Sequence, residues 1–222
     1  MIYPPPLTSS ELLQQYQQGR RDFARLGLQR IDLSERCLQG ICLSQAELYG
    51  ANLSQINLQD ADLTKIWFPQ AALWRANLSQ AKLRASHGEQ ANLIRANLSQ
   101  ADCRETVLRK ADLRLANLQF ANLGQADLTG ANLSYANLTG ANLAETNLSY
   151  ANLTGANLSG AILRCTQFAY ALVSHVHWSE TIVQDMDWKH VNIRREDLSQ
   201  VIWRDAPTGV QVSPLSAMTP SL

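Results

Sequence analysis

A coil of short parallel β-strands behind a brief N-terminal helix, an all-β parallel β-helix, is the fold this 222-residue chain predicts. Two observations carry the prediction. From Arg21 to Asp205 an apolar residue returns every five positions without an insertion or deletion. Of the 37 central positions 26 are Leu and ten are other apolar residues, so that Gly88 alone breaks the column. A period of five also fits neither the 3.6 of a helix nor the 2 of a flat strand. It fits a chain that turns a corner every five residues, with the central residue (position i) and the residue two before it (i−2) inside. Four such sides close a quadrilateral coil of 20 residues, giving about nine coils. Stacked about 4.8 Å apart they make a rod roughly 45 Å long.

The elements follow in order. Segment 1–20 holds the helix: Thr8, Ser9, Ser10 and Glu11 form a capping box and Gly19 stops it. Leu12, Leu13 and Tyr16 then share one side, where they cover the open end of the first coil. The array 21–205 follows. Leu at i fills the axis, each burial stabilising by about 1.5–3 kcal/mol, and Ala at i−2 sits where two sides meet. Asn57, Asn77, Asn97, Asn117, Asn137 and Asn157 recur at intervals of 20 and so stack as an amide ladder. Phe68 lies one coil below Gly88, so a large ring and an absent side chain form one packing solution. From Ala116 to Leu163 only Asp127 and Glu145 are charged, and this stretch reads as spacer. Beyond Leu163 larger residues enter both inward positions, with Val176, Met186, Val191 and Val201 at i−2 and Trp178, Trp188 and Trp203 at i, which predicts a wider, less regular stack. Residues 206–222, with Pro207, Pro214 and Pro220, are expected to be a disordered tail.

The tandem Ala-(Asn/Asp)-Leu unit, matched strictly in fourteen units, resembles the pentapeptide-repeat proteins. That resemblance implies a right-handed quadrilateral β-helix. The N-terminal stretch from Leu12 to Phe23 is similar to that of cyanobacterial members, one of which regulates heterocyst formation through a partner protein. The resemblance is specific for fold and weak for function, because the repeat is scaffold.

Composition narrows the function. Nineteen acidic and nineteen basic residues leave no net charge and no long-range pull towards nucleic acid or an anionic membrane. Cys37, Cys42, Cys103 and Cys165 fit neither a metal motif nor a disulfide framework. The N-terminus lacks the pattern of a signal peptide and no apolar run could span a membrane, so the expectation is a soluble, cytoplasmic protein. No nucleophile has a base and an orienting group across neighbouring coils, and a Leu-filled axis leaves no cleft, so no enzyme and no cofactor are expected. His175, His177 and Asp197 share a corner near the end, but with no fourth ligand the expected metal content is none.

Binding another protein is the chemistry that remains. One side places Trp74, Ile94 and Arg114 in its i+1 column and Arg75, Arg95, Leu115 and Tyr135 in its i+2 column. Trp and Arg over an apolar patch anchor interfaces. The candidate partner-binding residues are therefore Trp74, Arg75, Ile94, Arg95, Arg114 and Leu115, with Trp67, Pro69, His87, Arg109 and Lys110 on the adjoining side. The partner is a protein, with neither nucleic acid nor membrane implied. Some relatives in the resembled family dimerise through their C-terminal coils, and the outward column Ile162, Ile182 and Ile202 permits a homodimer there. Others act on DNA gyrase as DNA mimics, which is the alternative function. That role needs a stripe of carboxylates, whereas the outward column Asp22, Cys42, Asp62, Lys82, Asp102, Asn122 is interrupted.

Overall fold

The computed structural model describes residues 7–204 apart from 187, 189 and 194; the expected tail 206–222 lies outside them. Helix α1 spans Ser9–Gln17 and is capped at both ends. Thr8 Oγ1 accepts from the Glu11 N–H at 3.2 Å, and the Glu11 carboxylate accepts from the Thr8 N–H at 2.9 Å. At the other end the N–H groups of Gly19 and Arg20 donate to the carbonyls of Tyr16 and Gln15, the paired bonds of a Schellman motif, with Gly19 at φ 98°. Leu12 is fully buried, and Tyr16 donates from its hydroxyl to the Gln39 carbonyl at 2.8 Å. The helix thus closes the first coil, as its sequence predicts.

Every fifth residue from Asp22 to Asn157 forms a parallel bridge with the residue twenty positions on. The unit Ala91 to Arg95 explains why five residues suffice for this. Ala91 N–H closes a turn to Gly88, and Asn92 N–H reaches back one coil to Ala71. Leu93 N–H and Arg95 N–H reach forward one coil to Asp112 and Arg114. The fifth donor, Ile94 N–H, is taken by the Asn92 side-chain oxygen at 3.1 Å. All five N–H groups are paired within the repeat, as buried backbone requires. The Asn/Asp at i−1 is therefore principally an acceptor for its own turn, as at Asp32 with Ser34, Asn132 with Ser134 and Asn157 with Ser159. At Trp67, which has no such acceptor, the i+1 residue is Pro69, which has no N–H to satisfy.

The i+2 residue closes each corner in the left-handed region. Arg75 (φ 56°), Arg95 (φ 58°), Leu115 (φ 59°) and Tyr135 (φ 57°) are examples. Sequence periodicity alone does not announce this conformation, which non-glycine residues seldom adopt. Its cost is offset by the forward hydrogen bond that each of these residues makes, such as Arg75 N–H to Ile94 O at 3.0 Å.

The core is the predicted axis. Leu33, Leu38, Leu133, Leu143 and their equivalents are buried, with Ala at i−2 sealing the corners. Where Thr replaces that Ala, its hydroxyl donates to a carbonyl of the coil below, as from Thr146 to Leu123 at 2.7 Å and from Thr166 to Leu143 at 2.7 Å. Ser134, one residue beyond the axis and outward by its place in the repeat, is in fact buried, its hydroxyl on Asn132 at 2.8 Å.

Near the C-terminus the bridges on one side lengthen into strands β1 (Ile162–Arg164), β2 (Ile182–Gln184) and β3 (Ile202–Trp203), a parallel sheet in the order β1-β2-β3. Elsewhere among the described residues the turns leave a single residue per side to pair, which is why bridges rather than strands predominate. The loosening expected beyond Leu163 takes the form of a slip. Tyr170 N–H donates to His190 O and Glu180 N–H to Gln200 O, one residue later than in regular coils, and a 3-10 turn occupies Arg195–Leu198. The axis there is aromatic, with Trp188 6.2 Å from Phe168 and 6.0 Å from both Trp178 and Trp203.

Candidate protein-interaction face

The bridge register stacks Trp74, Ile94 and Arg114 in one column and Arg75, Arg95 and Leu115 in the next, so the six candidate residues do lie together. They are not equally presented. Trp74 and Ile94 are half-buried, whereas Arg75, Arg95, Arg114 and Leu115 are exposed. The left-handed corner turns the i+2 side chains of Arg75, Arg95 and Leu115 away from the rod, while Trp74 and Ile94 at i+1 lie along the side; Arg114, also at i+1, is nevertheless exposed. Arg75 folds its guanidinium over the Trp74 ring, 4.9 Å from the centroid. Arg114 is held in a fork by Asp112, with contacts at 2.9 and 2.7 Å that raise its pKa further above the usual range. Arg95 makes no ion pair among the described residues and is the uncommitted cation of the face. Leu115 is 48% exposed beside it.

The adjoining side is more self-contained. Trp67 stacks on Tyr49 with centroids 5.5 Å apart, and Arg109 pairs with Glu89 at 3.0 Å and faces Asp127 at 3.8 Å. Arg84 pairs with Glu105, and Arg104 with Asp102, both at 2.6 Å. The Arg104 guanidinium holds the Asp102 carboxyl below its ordinary range. The interrupted anionic column is thus also internally neutralised at Asp102, and Arg84, Arg104, Arg109 and Arg114 are all engaged by carboxylates of the chain itself.

Two clusters were not visible in the five-residue pattern. Tyr150, Tyr170 and His190 form an exposed stack with centroids 5.1 and 4.9 Å apart, and Leu172 beside it is 58% exposed. Writing the chain in rows of twenty would have aligned these rings. Cys165, Asp185 and His190 line a recess of about 390 Å³ with Ser149 and Gln167. No hydrogen bond joins thiol to imidazole among the described residues, and His190 is stacked on Tyr170. His175 and Asp197 share a smaller recess of about 240 Å³ that His177 does not line. Among the described residues no group of three or more His, Cys, Asp and Glu could hold a metal ion, and no helix is long and apolar enough to cross a membrane. The column Ile162, Ile182, Ile202 is in register, with Ile162 and Ile202 exposed and Ile182 half-buried.

No curated protein sequence matches the chain. Solved structures do. HetL, a pentapeptide-repeat protein involved in heterocyst differentiation regulation in Nostoc sp. strain PCC 7120, is 28% identical over 81% of this chain and 98% of its own, with a TM-score of 0.27. A pentapeptide-repeat protein of the Arabidopsis thaliana thylakoid lumen is 30% identical over 52% of this chain and 70% of its own, with a TM-score of 0.28. The plasmid-mediated fluoroquinolone resistance protein QnrB1 is 16% identical over 78% of this chain and 94% of its own, with a TM-score of 0.36. Proteins of this repeat generally form right-handed β-solenoids. The family model for pentapeptide repeats matches residues 28–65, 91–130 and 126–164, together half the chain, and with the twenty-residue bridge register this places the chain in the pentapeptide-repeat family.

Proposed function

We propose that this chain is a non-enzymatic protein-interaction module, a right-handed quadrilateral rod of about nine coils that acts as a regulatory scaffold in a cyanobacterial cytoplasm. Its docking face is Trp74, Arg75, Ile94, Arg95, Arg114 and Leu115. The observation that carries the reading is the combination of an exposed Leu115, an unpaired Arg95 and an Arg75 guanidinium seated on Trp74 within one corner. A partner surface that is apolar with carboxylates around it complements this arrangement. Because hydrogen bonds to the coils before and after hold the backbone in place, little ordering accompanies binding. The cyanobacterial assignment rests on the N-terminal stretch from Leu12 to Phe23. An affinity pull-down from the native cell identifies the partner, and titration of Trp74→Ala, Arg95→Ala and the remote Thr139→Ala against it tests the face. Trp74→Ala and Arg95→Ala should each weaken binding by about 2 kcal/mol, and Thr139→Ala should not. Wild-type affinity in all three would place the interface elsewhere and refute this one.

A further inference from the structure

The side of the rod next to that face is chemically unlike it. Between its corners, from Asn57 to Ser159, it carries no charge at all. Its lower amides are occupied by one another, Asn77 donating to Asn57 at 3.0 Å, Asn97 to Asn77 at 3.2 Å and Asn117 to Asn97 at 3.1 Å. The ladder then stops. The Asn137 side-chain oxygen accepts from both the N–H and the hydroxyl of Thr139, while its NH₂ group has no partner among the described residues. The side-chain amide of Gln119 likewise has no hydrogen-bond partner among the described residues.

At this level two aromatic rings mark the corners on either side. Phe120 lies against Gly140 and Tyr135 against Gly155, so closely that a Cβ on either glycine would fall 2.5 or 2.6 Å from a ring carbon. The glycines let each ring lie along the next coil, yet Phe120 remains 62% and Tyr135 64% exposed. The result is two apolar plates three quarters of a coil (about 3.6 Å) apart in height, with unclaimed amides between them.

We propose that Gln119, Phe120, Tyr135 and Asn137 form a binding face for a neutral linear oligosaccharide. A pyranose presents an apolar C–H face that packs on an aromatic ring. Its hydroxyls both donate and accept, which matches the two-way chemistry of Asn and Gln amides. It carries no charge, and neither does this side. A protein interface of similar extent would need a contiguous apolar centre, whereas here the two rings are separated by a polar row. Each ring already lies against a glycine of the next coil, which limits the side-chain freedom lost on binding.

The test is calorimetric titration of the full chain with neutral glucan hexamers of β-1,4, β-1,3 and α-1,4 linkage, with an anionic polyuronate of the same length as comparison. Saturable binding of at least one neutral hexamer is expected. Phe120→Ala and Tyr135→Ala should each weaken it about tenfold or more, and Trp74→Ala and Arg95→Ala should leave it unchanged. Thermal unfolding by circular dichroism verifies that each variant is folded, and Gln119→Ala, at a side chain outside the buried axis, gives a second route by weakening binding at intact stability. The proposal is overturned by absence of binding to every neutral hexamer, by equal or tighter binding of the polyuronate, or by binding indifferent to both ring substitutions. It is overturned too if sedimentation reveals a self-association of the chain that Tyr135→Ala abolishes, since the face would then be a protein interface.

Discussion

The pairing of Phe68 with Gly88 can be tested by a double-mutant cycle. Phe68 is buried in the axis, and a Cβ at Gly88 would lie 2.2 Å from its Cζ, 2.3 Å from Cε2 and 2.9 Å from Cε1. These carbons belong to a ring enclosed by neighbouring coils, so it cannot swing away cheaply. Gly88→Ala should therefore cost about 1–3 kcal/mol by overpacking, and Gly88→Leu more. Phe68→Leu alone removes ring volume below a site that has no side chain to fill it, and should cost about 1–2 kcal/mol. The double variant Phe68→Leu/Gly88→Leu recreates the ordinary Leu column that runs through Leu28, Leu48 and Leu108. Gly88 does not occupy the left-handed region, so Leu fits its backbone, and losing a glycine reduces the freedom of the unfolded chain. The double variant should lie within about 1 kcal/mol of wild type. Guanidinium denaturation followed by circular dichroism measures all four corners of the cycle. If Gly88→Leu is as damaging in the Phe68→Leu background as it is in the wild-type chain, the two positions are not coupled and the ring does not fill the place of the missing side chain.

Three further outcomes follow. Leu133→Asp buries an unpaired charge on the axis and should unfold the array, while Gln45→Asp, at an exposed left-handed corner that Asp tolerates, should change stability little; Ser134 is too buried to serve as that comparison, and equal melting of the two variants would break the register. Burial, aided by the neighbouring Asp102 charge, pushes the Cys103 thiol up to about 12. Because the folded pKa is the higher one, the unfolded chain ionises first, so this thiol's contribution to stability falls as pH rises from about 9 towards 12. Cys103→Leu should flatten that part of the pH–stability curve, and an unchanged slope would contradict the burial. Finally, the chain should not inhibit gyrase supercoiling, because its one candidate anionic column is interrupted by Lys82 and neutralised at Asp102 by Arg104; stoichiometric inhibition in a supercoiling assay would show that the surface has been misjudged.

The coil is legible in the letters because inward residues repeat strictly and burial is non-directional: Leu133 and Ala131 announce themselves. Phe68 and Gly88 are readable for the same reason, each being the other's exception. The candidate face is legible as a set of columns but not as a surface. Nothing in the letters says that Trp74 lies along the side while Arg75 points away, since that depends on a backbone angle. The signal for the angle is present in Gly40, Gly50, Gly130, Gly140, Gly155 and Gly160, all at i+2, but Arg, Gln and Tyr at equivalent corners obscure it. The same habit hides the Tyr150–Tyr170–His190 stack. Asn is legible as a stacking amide, and its ladder does join Asn57 to Asn117, yet its more general work is within its own turn.

A bridge register of twenty residues makes the rod behave as a dial with four stops. Deleting one five-residue unit would keep every Leu inside and every turn intact, so the coil could close again. Everything beyond the deletion would nevertheless rotate by a quarter turn against everything before it. Removing Ala96 to Gln100, for example, would carry Leu115 to a different corner from Arg75 and Arg95, and would set Asn117 and Asn137 on a different side from Asn77. Only removal or insertion of four units at once preserves the columns. Length in this architecture is thus free in steps of five as far as folding is concerned, but quantised in steps of twenty wherever a surface spanning several coils has to be kept.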